Sequence, residues 1–352
     1  MKKNVVILTP GFPISEEDTT CIPPLQSLIL ELHQQHCDAV NLQIVSFQYP
    51  FNPGSYTWHG IPCWSAGGSN KKFPGKWETW LSVMKFLRKL HHQTPIDIVH
   101  AFWLNECTLI GKWISKLSGA KLVCHAMGQD VLPSNKYMKY IKPKSLNIIA
   151  VSDFAAEKLT SNFNTTNVKV IPNGINADDF RNLNLNDERH TDILGVGSLI
   201  PLKNYELFVK IFTELKQIYP ALSGRIIGEG PQFGLLEKLI ADNHLEKSLL
   251  LEGRLSRPDV LHLMTHSKIL LHPSLFESAG YVFLEALAAG MKVVSFKTGY
   301  LPNVVGAYAC ESEEAMRNAL KSLLSYKQEY KPVPVVRVSD TAKAVIEVYK
   351  NI

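Results

Sequence analysis

Long apolar runs are missing from this 352-residue chain. No stretch approaches the ~18–20 apolar residues that a membrane-crossing helix needs. The apolar run at residues 5–8, behind Lys2 and Lys3, stops at Thr9-Pro10-Gly11. That is short of the ~7–15 apolar residues of an export signal, so it reads as a buried first strand and the chain is expected to stay in the cytoplasm. Cysteine is scarce: Cys21, Cys37, Cys63, Cys107, Cys124 and Cys310, with no C-x-x-C pair. A disulfide framework is thereby excluded, and reduced, mostly buried thiols are expected. There is no D-x-D carboxylate pair, no G-x-x-x-x-G-K-[ST] loop and no H-E-x-x-H. Metal-assisted phosphate chemistry of the usual kinds therefore finds no ligands, and no metal or other cofactor is expected. His262 and His266 share a helical spacing but lack an evident third ligand, so solvent-facing histidines are the preferred reading. Low-complexity tracts and strict repeats are absent too.

The composition that remains is that of a folded protein, 45% apolar and 20% charged, long enough for two domains of ~170 residues each. The net charge of +5 suits anionic ligands or an acidic membrane surface and gives no sign of nucleic acid. Short β-branched runs alternate with longer amphipathic ones. Candidate strands fall at residues 5–8, 42–46, 96–101, 121–125, 147–151 and 168–171, then at 192–196, 224–227, 248–251, 268–272 and 292–296. Helical patterns lie between many of them, as at 25–33, 79–91, 205–218 and 233–242. Such alternation predicts parallel sheets with crossover helices on both faces. The polar stretch 182–191 is the expected linker, giving an N-terminal Rossmann-like domain over 1–180 and a second over 181–338. A last helical pattern, 339–352, is compatible with either domain. Two open sheets facing each other would leave a cleft at the carboxyl ends of their strands, where ligands bind in such sheets.

The sharpest signal spans residues 271–296. A strand ends at His272-Pro273, a turn holds Glu277, Ser278, Ala279 and Gly280, and a helix runs from Tyr281 to Ala289 before Gly290 closes it. A helix start offers unpaired N–H groups and a positive dipole end to an anion. Gly280 permits close approach to the backbone. Glu277 precedes the helix and can face a sugar hydroxyl; Glu285, inside it, is placed to accept as a lone carboxylate from vicinal hydroxyls. Upstream, Gly195-Val196-Gly197-Ser198 leads to Pro201-Leu202-Lys203-Asn204, where Lys203 can neutralise a diphosphate. Gly228-Glu229-Gly230-Pro231 is a second strand-to-helix turn. Neither G-x-G completes G-x-G-x-x-G, and each alone is a weak signal.

As a set, these motifs resemble the retaining family-4 glycosyltransferases of the GT-B fold. Glu277 and Glu285 match the E-x7-E motif. Leu251-Glu252-Gly253-Arg254 and Val170-Ile171-Pro172-Asn173-Gly174-Ile175 extend the likeness, which is strong over about residues 145–305 and looser before. The resemblance implies two Rossmann-like domains facing a central cleft, with the final helix crossing back to the first. It implies that Glu285 holds ribose hydroxyls and Glu277 contacts the transferred sugar. Ser278, Ala279 and Gly280 would offer backbone N–H groups, and Lys203, beside Asn204, Gly197 and Gly228, would bind the diphosphate. Arg254 would lie by the base and Gly11, in Pro10-Gly11-Phe12-Pro13, over the phosphates. The implied reaction transfers a hexose-type sugar from a UDP- or GDP-sugar to a glycan or lipid-linked acceptor with retention of configuration, in surface polysaccharide or glycoconjugate synthesis.

Two positions depart from the family. Ser198 stands where an arginine usually partners the lysine, so one charge-assisted contact is missing. The His-Gly-x-Asp pattern reads Met127-Gly128-Gln129-Asp130, with Met127 in the histidine's place. His125, two residues earlier on a strand, points to the same side and is the candidate substitute; His100 is a weaker one. These departures keep a non-catalytic nucleotide-sugar-binding protein in view, beside a nucleotide-sugar epimerase or phosphorylase on the same scaffold.

Residues 71–92 hold Lys71, Lys72, Lys76, Lys85, Arg88 and Lys89 against Glu78, with Trp77, Trp80, Leu81, Met84 and Leu87 at helical spacing. Lys136, Lys139, Lys142 and Lys144 interleave with Tyr137 and Tyr140. Two readings stand: peripheral contact with an anionic membrane, at its inner face, or an apolar stripe packed on the domain's own sheet beneath solvated lysines.

Overall fold

The computed structural model describes residues 2–176, 178–181, 188–299, 301, 304–326 and 328–352. The chain divides into two compact units, Met1–Gly174 with Arg337–Ile352, and Ile175–Val336. Of the stretch expected as a linker, residues 182–187 lie outside the described residues.

The first unit runs β1 (Lys3–Gly11), α1 (Pro23–Gln35), β2 (Val40–Tyr49), β3 (Gly54–Trp58), β4 (Ile61–Ser65), α2 (Gly75–Gln93), β5 (Ile98–Phe102), α3 (Glu106–Ser118), β6 (Lys121–Ala126), α4 (Met138–Ile141), β7 (Asn147–Ala150), α5 (Asp153–Phe163) and β8 (Val168–Val170). Its sheet has the order β3-β4-β2-β1-β5-β6-β7-β8. All neighbours are parallel except β3 and β4, a hairpin the alternation pattern did not predict. Its two-residue turn, His59-Gly60, holds both φ angles positive, at 45° and 78°, the geometry that joins antiparallel strands tightly. α1 starts with Pro23 in its first turn and buries Leu25, Leu28, Ile29 and Leu32, one face of a helix.

The second unit runs α6 (Asp178–Arg181), β9 (Thr191–Val196), α7 (Tyr205–Ile218), β10 (Gly224–Ile227), α8 (Phe233–Asp242), β11 (Leu249–Gly253), α9 (Arg257–Thr265), β12 (Ser267–His272), α10 (Tyr281–Ala288), β13 (Lys292–Phe296), β14 (Ala307–Cys310) and α11 (Glu313–Ser325). Its sheet, β11-β10-β9-β12-β13-β14, is parallel throughout. The order reverses between β9 and β12. In a doubly wound sheet that is the point where two outgoing connections part to opposite faces and leave a crevice.

The last helix, α12 (Val338–Lys350), belongs to the first unit. Val338, Ala342, Val345, Ile346 and Tyr349 bury one face of it in the cluster formed by α1 and the first sheet. Burying Val338, Val345 and Ile346 stabilises by roughly 1.5–3 kcal/mol each. Tyr349 Oη and His100 Nδ1 share a 2.7 Å hydrogen bond beneath it. Four of the six thiols are buried, whereas Cys37 is exposed and Cys21 half-buried. Among the described residues no helix is long and apolar enough to cross a membrane.

Candidate functional site

The β9–β12 switch point gathers most of the residues singled out by the sequence. Gly197 and Ser198 follow β9, and a single 3-10 turn, Pro201–Lys203, leads through Asn204 into α7. The loop after β12 is tied to that turn: Leu275 N donates to Leu202 O at 2.9 Å and Ser274 Oγ to the same oxygen at 3.2 Å. Lys203 is thereby carried to Glu277, with which it forms an ion pair. His272, the last residue of β12, places Nε2 2.6 Å from Glu277 Oε1. The Glu277 backbone is clamped as well, its N–H donating to Thr298 Oγ1 at 2.8 Å while that hydroxyl donates to Glu277 O at 3.2 Å.

Burial alone would raise the Glu277 carboxyl, but His272 and the Lys203 ammonium outweigh it and pull the group down to about 2. His272 is lowered as well: burial outweighs the pull of Glu277. The arrangement is thus a carboxylate that meets the Lys203 ammonium and His272 Nε2 on one oxygen. Gly197 lies over this cluster, where a Cβ would stand 3.1 Å from Tyr205 Oη and 3.7 Å from His272 Cε1. Tyr205 Oη is buried with no hydrogen-bond partner among the described residues.

Two glycines are required by geometry. Gly280 opens α10 at φ 62°, and a Cβ there would fall 2.1 Å from the Phe283 ring. Gly228, at φ 154°, would drive a Cβ to 1.9 Å from Gly197 O. The turns after β9, β10 and β11 are laced together, Gly197 N donating to Ile227 O and Gly228 N to Gly253 O at 3.0 and 2.8 Å. Arg254 sits at their margin, 62% exposed at its side chain and paired with Glu229 at 3.1 Å. Ser198 is exposed; Ser278 and Ala279 are buried ahead of Gly280.

Glu285 corrects one expectation, for it is not a lone carboxylate. Arg257 Nε donates to Glu285 Oε1 at 3.0 Å, and Arg257 Nη1 to Asp179 Oδ2 at 2.6 Å. Burial raises the Glu285 carboxyl while Arg257 opposes the rise. Arg257 would be lowered by its own burial, but Glu285, Tyr281 and Asp179 hold it above its ordinary value. The cause is local: Ser256 caps α9 through Asp259 N, which sets Arg257 in the first turn. Neither Arg257 nor His272 was legible as a site residue, since no motif contains them; only the position of His272 at a strand end before a turn gave a hint.

In the first unit Gly11 ends β1, with a prospective Cβ 3.5 Å from Tyr49 Cβ. His125 lies near the end of β6. Its ring is fully buried, in line with His100 and Phe102 at 5.4 and 4.8 Å. Both ring nitrogens lack a partner among the described residues, and burial lowers the group to about 3. His100 is held in the same layer by Tyr349. Asp130 serves the backbone, accepting from Leu104, Gly128 and Met127 N–H groups at 2.8, 2.6 and 3.3 Å.

Comparison with known proteins agrees with this geometry. The family model of the glycosyl transferases group 1 matches residues 176–332, and that of Glycosyltransferase Family 4 matches residues 25–179. The chain belongs to these family-4, group 1 glycosyltransferases. It is 32% identical over 174 residues to one subunit of the human phosphatidylinositol N-acetylglucosaminyltransferase, covering 49% of this chain and 36% of that protein. The chain spans about half or less of the length of the curated relatives it matches first. Sucrose-phosphate synthase of Thermosynechococcus elongatus superposes with a TM-score of 0.75 at 14% identity, over 99% of this chain and 95% of that one. HepE of Anabaena, solved in complex with UDP-glucose, gives 0.68 at 17% identity, over 98% and 95%. These likenesses establish the GT-B fold.

Proposed function

We propose that the protein transfers a hexose-type sugar from a nucleotide-sugar donor to a glycan or lipid-linked acceptor, with retention of anomeric configuration and without a metal ion, in surface polysaccharide or glycoconjugate synthesis. The observation that carries the reading is the meeting of Lys203, Glu277 and His272 at the strand-order reversal of the second sheet. Uracil is the preferred base, because UDP-glucose is the ligand of a protein with the same fold. In this reading Lys203 leaves Glu277 in part to meet the diphosphate, and the N–H groups after Gly280 take up the rest of its charge. The bond from the anomeric carbon to the phosphate oxygen breaks and one to the acceptor oxygen forms on the same face. The acceptor proton leaves with the departing phosphate. Glu277 faces the transferred sugar, and Glu285, oriented by Arg257, holds the ribose hydroxyls. Ser198 leaves the diphosphate with fewer fixed charges than the family usually supplies. The protein works in the cytoplasm, in peripheral contact with the inner face of an anionic membrane.

The test is a thermal-shift screen of UDP- and GDP-sugars without added metal, followed by product analysis with and without acceptors. A raised melting temperature with one donor, abolished in Glu285→Ala, is expected. Donor turnover that needs no acceptor would make the protein an epimerase. Donor binding with no turnover across a broad acceptor panel would make it a binding protein.

A further inference from the structure

The donor chemistry makes no use of the side of the first sheet covered by α2 and α3. There an open recess of about 700 Å3 has Phe73, Trp80, Trp113 and Tyr140 among its walls and Lys136, Lys139 and Lys142 along its edge. The rings form a chain, with Phe73–Trp80, Trp77–Trp80 and Trp80–Trp113 centroids 5.8, 6.0 and 6.3 Å apart. The helical stripe of α2 divides: Trp80, Val83 and Leu87 are buried, while Trp77 and Leu81 remain in water. Phe73 is 65% exposed and Tyr140 68%, and Trp113 and Leu117 extend the apolar face along α3. Neighbouring exposed aromatics of this size mark an interaction surface.

The recess is built rather than incidental. Glu106, 4% exposed, accepts from Gln48 Nε2 at 2.5 Å, Tyr137 Oη at 3.0 Å and Trp80 Nε1 at 3.3 Å, and pairs with Lys76 at 2.6 Å. One buried carboxylate therefore locks α2, α3 and the segment before α4 together, and Lys76 neutralises it. The surface around it stays cationic: Glu78 is the one acid in residues 71–92, and residues 136–144 contain none. Apolar walls below and ammonium groups above repeat the layering of a bilayer interface, acyl chains beneath phosphates.

We propose that this recess is the membrane-docking surface of the protein, with Phe73, Trp77, Leu81 and Trp113 entering the acyl boundary of an anionic phospholipid bilayer while Lys136, Lys139 and Lys142 meet lipid phosphates. The proposal deepens the membrane location given above and rests on it, but not on the donor chemistry. Flotation with phosphatidylcholine vesicles, with and without phosphatidylglycerol, tests it together with quenching of tryptophan fluorescence by brominated acyl chains. The protein floats with the anionic vesicles alone and is quenched by the brominated chains. The combined variant Lys136→Gln, Lys139→Gln, Lys142→Gln lowers vesicle partition on the order of a hundredfold, from roughly 1 kcal/mol per lysine near an anionic surface. Trp77→Ser with Leu81→Ser makes the remaining binding more sensitive to salt. Absence of flotation at low salt, unchanged partition of the lysine variant, or retention on a soluble polyanion without quenching by brominated chains each overturns the proposal. Donor-induced thermal shifts, measured on the same samples without vesicles, report separately on the nucleotide-sugar reading.

Discussion

His272 Nε2 lies 2.6 Å from Glu277 Oε1, the same oxygen that meets the Lys203 ammonium. A single carboxylate oxygen thus joins the end of β12 to the turn after β9, and the positions of three side chains depend on one another. The carboxylate, pulled down to about 2 by His272 and Lys203, offsets the Lys203 charge within the cluster. A bound diphosphate would tip it by competing for the lysine.

Glu277→Gln is expected to lower kcat/KM about 10²–10³-fold with little change in fold, the usual cost of losing one electrostatic contributor at a reacting centre. Steady-state kinetics check it. The folded Glu277 carboxyl is lowered to about 2, below its ordinary 4.5. Its contribution to stability is therefore full above pH 4.5 and is lost as the pH falls from 4.5 toward 2. Urea melts of Glu277→Gln across that window should slope less steeply than those of the parent.

Arg257→Met leaves Glu285 and Asp179 without their shared cation. Breaking a buried pair from one side costs about 3–5 kcal/mol, so a large fall in the urea midpoint is expected. The double change Arg257→Met with Glu285→Gln should cost less than the sum of the two singles. A strictly additive cycle would mean that the 3.0 Å contact carries no energy.

Gly280→Ala should destabilise the second unit by several kcal/mol. About 1–2 kcal/mol comes from the left-handed backbone and about 1–3 from forcing the Phe283 ring aside. The donor-induced thermal shift should vanish with it. Gly234→Ala makes a matched control, because a Cβ there meets nothing within 4 Å.

His125, lowered to about 3 by burial, and His100, lowered well below its ordinary value by burial and by His125, are both neutral in the folded first unit. The unfolded chain takes up protons below pH 6.5, so stability is full above that value and falls as the pH drops below it, for His125 down to about 3. His125→Phe should remove one histidine's share of that slope while leaving kcat near its parent value. A large loss of kcat in a well-folded His125→Phe would place this residue in the catalytic site.

Much of the fold was legible. The alternation of β-branched runs and amphipathic stretches shows in the sequence because strands and helices have different periods, and both parallel sheets follow from it. The β3–β4 hairpin and β14 were not seen: His59-Gly60 is a weak turn signal, and the run Ala307–Cys310 is too short to show a period. At the site, Glu277, Lys203 and Gly280 were visible because turns and helix starts constrain residue type locally. His272 and Arg257 were not, since a histidine ending a strand and an arginine opening a helix have ordinary local chemistry. Strand alternation states which face a side chain takes, but not that α12, more than two hundred residues later, covers that face.

The order of residues alone determined where each strand ends and which turn residues can approach a phosphate, because helix starts, glycine turns and side-chain period are properties of a few adjacent positions. Tertiary structure decided which of those ends meet. The Lys203–Glu277 pair exists because β9 and β12 lie side by side at the reversal of strand order. The partner of His100 was set by the return of α12. Contacts of this kind depend on how distant elements are layered, and hydrophobic burial selects that layering over the whole unit.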